Sequence, residues 1–271
     1  MKKTSFMISL AVVFCFFTGV SHGEEKIRIA GSGSMIALLN ELAKGFMAEN
    51  KNAVIEINQK SIESTGGIMS AAEGKVDIGM TARSLKEDEK KLGLQTFEIA
   101  RVATVIGVNK SVTLKEISSD NLCRIYTGKI AKWKDLGDGG KIVPLTRPDR
   151  DATKDTVRKN IACFRDLKEP ETVVIIPTAP EMSKILANRP DTIGFTDSVA
   201  VDDSAGSIVA VKLDGMAPTT ENVRSGAYKI IKNNILVTKG QPDGAVKDFI
   251  TYIKGPKGAR IIEANKAVPV K

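Results

Sequence analysis

Four stretches of the chain gather groups suited to holding an oxyanion. Ile27 to Met35, IRIAGSGSM, runs from a short apolar strand into a Gly-Ser turn and the helical pattern IALLNELAKGFMAEN. Val54, Ile55 and Ile57 alternate as a strand and lead to Ser64-Thr65-Gly66-Gly67 and the helical segment IMSAAEGK. VDIGM ends at Thr81-Ala82-Arg83, with LKEDEKKL beyond it. The fourth stretch, Arg147 to Thr153, lies between KIVPLTR and KDTVRKNIACF and contains Asp149, Arg150, Asp151 and Ala152. A strand, a hydroxyl-rich turn and a helix start together present free backbone N–H groups and the positive end of a helix dipole. Arg147 adds a two-pronged donor that suits a tetrahedral oxyanion, and Asp149 is close enough in sequence to hold that fork in place. Each turn also has a plainer reading. Gly-Ser turns join strands to helices without any ligand, Thr81 could cap a helix, Arg83 could pair with Glu87, and the 147–153 loop could be a solvated charged turn.

Other chemistries are excluded by composition. The chain begins with Lys2 and Lys3, an apolar run from Phe6 to Phe17 and Ser21-His22-Gly23, the pattern of a secretory leader occupying 1–23. The apolar run is too short for a good membrane span, and Val-Val-Phe before Cys15 does not resemble the small-residue pattern of a lipid-modified cysteine. The expectation is a soluble exported protein, periplasmic or extracytoplasmic. His22 is the only histidine, so residues 24–271 contain no imidazole. Ser-His and Cys-His nucleophile pairs and His-based metal sites are thereby removed, and no metal or other cofactor is expected. Net charge falls from +8 to +6 when Lys2 and Lys3 leave with no acid. Lysines scattered among acids, with few aromatics, do not make a nucleic-acid groove; a mild attraction for small anions is what this charge implies. Cys123 and Cys163 remain, either as a disulfide or as two buried thiols.

The elements that must position these groups alternate between strand and helix with short connections. This predicts an α/β protein with parallel sheets, whose ligands sit beyond the carboxyl ends of the strands. IARVATVIGVN is an apolar strand long enough to cross between two lobes, and NNILVTKG is a second crossing. Between them run shorter elements: SSDNLCRIYTG as a helix, KIVPLTR and TVVIIP as strands, EMSKILANRP as a helix, then TIGF and SIVAVKLDG. Trp133, the only tryptophan, is expected to plug the loop KIAKWKDLGDGG onto the second lobe's core. GAVKDFITYIKGPKGARIIEAN supplies a closing helical pair.

Longer stretches carry a family resemblance. IYTGKIAKWKDLG at 125–137, VDIGMTAR at 76–83, GMAPTTENVRSGAYKIIKNNILVTKG at 215–240 and AVPV at 267–270 resemble, in that order, the PstS-type receptors of phosphate ABC transporters. The likeness spans about Lys26 to Lys271. It implies a two-lobed type II periplasmic binding protein fold with two interlobe crossovers, lobe 1 being residues 24–106 plus 235–271 and lobe 2 residues 107–234. It further implies a monomeric, non-enzymatic receptor that closes on inorganic phosphate and delivers it to a membrane permease. Residue by residue, Ser34 and the backbone of Met35 match the first anion turn, Ser64, followed by Thr65, the second, and Thr81 with Arg83 the third. Arg147, Asp149 and Thr153 match the family's arginine, its orienting acid and its threonine.

Two positions depart from the pattern. Ala82 follows Thr81 where the best-known branch has an aspartate that accepts the proton of hydrogen phosphate, and Arg150-Asp151-Ala152 replaces Gly-Ser-Gly. A carboxylate beside a dianion repels it by several kcal/mol at the effective dielectric of a partly buried site. Asp151 is therefore expected to meet a ligand O–H, with Arg83 and Arg150 offsetting its charge. The alternative is a diverged oxyanion or sensory receptor of the same fold that no longer prefers phosphate.

Overall fold

A computed structural model describes residues 25–137 and 139–270. The leader expected at 1–23 lies outside the described residues. The chain forms β1 (Glu25–Gly31), α1 (Ile36–Glu49), β2 (Ala53–Ile57), α2 (Glu63–Ala72), β3 (Ile78–Thr81) and α3 (Glu87–Lys90). β4 (Leu94–Asn109), β5 (Glu116–Ile117), α4 (Ser119–Tyr126), β6 (Val143–Thr146), α5 (Ala152–Asn160) and β7 (Val174–Ile175) follow. Next come α6 (Ala179–Asn188), β8 (Thr192–Asp197), α7 (Ser198–Asp203), β9 (Ile208–Leu213) and α8 (Thr220–Arg224). The chain closes with β10 (Ile231–Lys239), α9 (Gly244–Lys254), α10 (Pro256–Ala264) and β11 (Val268–Pro269).

The expected α/β alternation is present. β1, β2 and β3 are parallel, and so are β6, β7 and β8. Between these groups runs β4, whose first part, up to Ala103, pairs antiparallel with β10 and whose later part, from Thr104, pairs with β8 and β9. One strand thus belongs to both halves, and the chain returns to the first half as β10 begins, where Thr104 N–H donates to the Ile230 carbonyl at 2.7 Å. The carboxyl ends of β1, β3, β6 and β8 carry Ser32, Ala82, Arg147 and Ser198, with Asp197 the last residue of β8.

Each half has its own core. In the first, α1 buries Leu38, Leu39, Leu42 and Phe46 at helical spacing, and Phe46 meets Phe249 and Tyr252 of α9 at centroid distances of 5.2 and 5.5 Å. In the second, Tyr126, Phe164 and Phe195 form a ring cluster, and Trp133 is fully buried, with its indole N–H donating to the Asp191 carbonyl. The tryptophan is the plug that the sequence suggested. A disulfide joins Cys123 of α4 to Cys163, with Cα atoms 6.2 Å apart, which resolves the two alternatives for these cysteines. TVVIIP is shorter than expected: only Val174 and Ile175 pair, on the sheet edge, and both are exposed.

Close backbone approach sets α2 in place. A Cβ on Gly67 of α2 would collide with the Met80 carbonyl and the Gly31 Cα, and one on Gly79 with the Gly67 carbonyl. These glycines let α2 settle onto β1 and β3, so the helix start at Glu63 and Ser64 stands beside the ends of both strands.

Candidate functional site

The second half contributes a buried guanidinium. Arg147 leaves the end of β6 and is 2% exposed. Its Nη1 donates to the Ile176 carbonyl at 2.7 Å, and its Nη2 donates to Asp151 Oδ2 at 2.7 Å and to Glu63 Oε1 at 3.1 Å. Its Nε is buried with no partner. Asp151 is the N-cap of α5, where Oδ1 accepts from the N–H groups of Thr153 at 2.9 Å and Lys154 at 3.0 Å. The cap leaves the Ala152 N–H, at the first helical position, untaken.

This geometry corrects the expected roles of two acids. Asp149 does not hold Arg147: its carboxylate is exposed and pairs with Arg158 at 2.8 Å and Lys154 at 3.1 Å. Asp151 holds the arginine instead, because only the cap position brings a carboxylate to both the helix start and the guanidinium. Asp151 thus already carries two amides and an arginine nitrogen from its own half. The charges near it also differ from expectation. Arg83 spends its fork on Glu89, at 2.7 Å from both nitrogens, and donates to Thr65 Oγ1 at 2.9 Å. That bidentate pair, chiefly through its hydrogen bonds, holds the Glu89 carboxyl below its usual range. Thr81 is buried, but its hydroxyl donates to the Arg83 carbonyl. Thr65, Thr81 and Arg83 thus form a local brace at the end of β3, with Glu89 as the partner in place of Glu87.

The first half supplies hydroxyls. Ser64 is buried and its Oγ accepts from the Ala82 N–H at 3.1 Å, which leaves its own hydrogen to donate elsewhere. Ser32 Oγ and Ser34 Oγ lie 3.2 Å apart. The Met35 N–H, expected at the anion, donates to the Ser32 carbonyl at 3.1 Å as part of a 3-10 turn. Ser61 Oγ accepts from the Gly33 N–H at 3.0 Å and ties the first two turns together.

Three groups here were not anticipated from sequence. Glu63 reaches Arg147 across the two halves. Lys232 of β10 is 2% exposed and donates to Thr153 Oγ1 at 3.2 Å and Asp197 Oδ2 at 3.1 Å. Asp197 caps α7 by accepting from the Ala200 N–H. A lysine inside the apolar run IIKNNILVT was the available signal for Lys232, since an ammonium on a buried strand needs a carboxylate partner. Glu63 left no comparable mark: it precedes a serine turn like any polar residue. The Lys232–Asp197 pair separates two grooves, one of about 380 Å³ lined by Ser34, Asn40, Ser183 and Asp197, the other of about 310 Å³ lined by Arg83, Lys159, Lys229 and Lys232.

Arg147 and Thr153 from the second half and Ser64 from the first are buried polar groups at strand ends and helix starts, the kinds of group that an oxyanion site uses. No group of acids, cysteines or histidines suited to a metal ion occurs among the described residues.

Comparison with known proteins places the fold. The family profile described as PBP superfamily domain matches residues 18–257. The phosphate-binding protein PstS of Bacillus subtilis (strain 168) is 34% identical over 240 residues, covering 86% of this chain and 77% of that protein. PstS of Borreliella burgdorferi aligns over the whole of both chains at 21% identity. A structure from Clostridium perfringens, described as that of a phosphate ABC transporter substrate-binding protein with bound phosphate, superposes with a TM-score of 0.82 at 31% identity, covering 91% of this chain and 100% of its own. A periplasmic phosphate-binding protein, PfluDING, shares the fold with a TM-score of 0.69 at 16% identity. With the two-lobed architecture and these relatives in agreement, the chain belongs to the PBP superfamily and, within it, to the PstS-type phosphate-binding proteins.

Proposed function

We propose that this protein is an extracytoplasmic receptor that binds inorganic phosphate in the interlobe cleft and delivers it to the permease of an ABC transporter. The observation that carries the reading is Arg147: a buried guanidinium, oriented by Asp151 and Ile176, with its Nε unpartnered, at the strand end where the opposite half, through Glu63, meets it. Ligand contacts are assigned to Arg147, Ser34, Ser64, Ala152 and Thr153, with Asp151 as the orienting acid. The receptor acts as a monomer, exported by its leader. Lobe 1 comprises residues up to about 103 together with those from about 231, since all of β10 pairs with β3 and the first part of β4. No catalytic step is assigned, because Ser32 and Ser34 have each other and no imidazole as neighbours.

Calorimetry with phosphate, sulfate, molybdate and arsenate tests this reading. Tight phosphate binding with weak sulfate binding supports it; no phosphate binding would sink it. A second reading, a diverged receptor for another oxyanion, draws on the acids beside Arg147, and a preference for a different anion in the same panel would favour it.

A further inference from the structure

The seat carries one carboxylate more than its cations can match. Asp151 pairs with Arg147 at 2.7 Å and Asp197 pairs with Lys232 at 3.1 Å, all four side chains being almost fully buried. Glu63 is the additional acid, 3.1 Å from the same Arg147 nitrogen and arriving from the other half of the molecule. It adopts a left-handed backbone, φ 60°, which a non-glycine residue takes up only at a cost that its surroundings must offset. Burial and the nearby Asp151 charge push the Glu63 carboxyl above its ordinary value of 4.5, while Arg147 and the Ser61 hydroxyl pull the other way. The charged groups facing it are Arg147 at the end of β6 and Asp151 at the start of α5; its own turn adds only Ser61.

We propose that Glu63 is a built-in carboxylate of this seat that competes with an incoming oxyanion for Arg147. The inference rests on reading the site as an oxyanion seat. An anion brought to Arg147 faces the Glu63 charge directly, so Glu63 takes up a proton as the anion enters. Occupancy is therefore linked to proton uptake by the protein, and the link is specific to this residue because the other two acids are matched by cations.

Calorimetry of the full chain and of Glu63→Gln, with inorganic phosphate in two buffers of different ionisation enthalpy, tests this. In a pH series rising from the ordinary carboxylate value of 4.5, the wild type takes up protons on binding and the variant does not. At about pH 8, with the competing charge removed, the variant binds about tenfold more tightly. Equal proton uptake by the two proteins, or weaker binding by the variant at the higher pH, overturns the proposal. Thermal melting without added anion gives a reading independent of phosphate. A carboxylate held against its preference predicts that Glu63→Gln melts higher than wild type at about pH 8 and the same at about pH 4. A variant that melts lower at the higher pH makes Glu63 an ordinary structural ion pair and overturns the proposal. If phosphate binds neither protein while the variant melts higher, the phosphate reading falls and the competing carboxylate stands.

Discussion

Arg147 concentrates the chemistry of this molecule in one side chain. Its guanidinium touches a carbonyl, a helix cap and an acid from the opposite half, so no lysine can reproduce its contacts. Arg147→Lys is expected to lose phosphate affinity by roughly 2–5 kcal/mol, the usual cost of truncating one partner of a buried, hydrogen-bonded charge pair, measured by calorimetry. Asp151→Ala removes both the α5 cap and the acid that holds Arg147. We expect it to lower folding stability by about 3 kcal/mol in urea melts, more than the ~1 kcal/mol of a cap alone, because it leaves a buried charge less well compensated. Asp149→Ala, by contrast, removes an exposed carboxylate whose buried partner Lys154 keeps Glu169, and should change stability by less than about 1 kcal/mol.

At the level of elements, the brace at the end of β3 gives a pH prediction with a definite sign. The Arg83 hydrogen bonds depress the Glu89 carboxyl, so the pair's contribution is present above the ordinary value of 4.5 and is lost as pH falls through the lower folded value. Wild type should therefore exceed Glu89→Gln in stability near neutrality, and the gap should close in melts carried out progressively below about pH 4. The disulfide between α4 and Cys163 closes a loop with a sequence separation of 40, for which chain entropy gives about 4 kcal/mol. Replacing both cysteines by serine should lower the urea midpoint accordingly, with phosphate affinity little changed because the bridge sits in the second half's outer helices.

For the whole molecule, the relevant fact is that two halves share β4 and are joined again where β10 begins. Thr104 and Lys232 lie where strand pairing passes from one half to the other, and the Lys232–Asp197 pair bridges that region beside both grooves. Domain closure around such a pair of connecting segments is a hinge motion. Small-angle scattering should show a smaller radius of gyration on adding phosphate; an unchanged radius would argue against closure. Lys232→Met leaves Asp197 buried beside an apolar side chain and should cost about 3–5 kcal/mol of stability in urea melts.

The sequence by itself determined the layers of the fold and the strand ends that carry the polar turns. Apolar runs with period-2 or helical spacing, each followed by a hydroxyl or arginine turn, are local patterns, and local patterns place Ser34, Ser64, Arg147 and Thr153 at strand ends with no knowledge of what lies opposite. The partners of the charges were not legible, since an ion pair depends on which surfaces meet. Asp149 and Asp151 are two residues apart, yet the cap geometry of α5 turns one toward Arg147 and the other toward solvent. Arg83 found Glu89 at the buried start of α3 in place of the nearer Glu87. Glu63 and Lys232 come from segments far from residue 147 in sequence and join its neighbourhood only because the halves are apposed. Tertiary structure thus decided which acids reach the arginine and which acid matches the buried lysine.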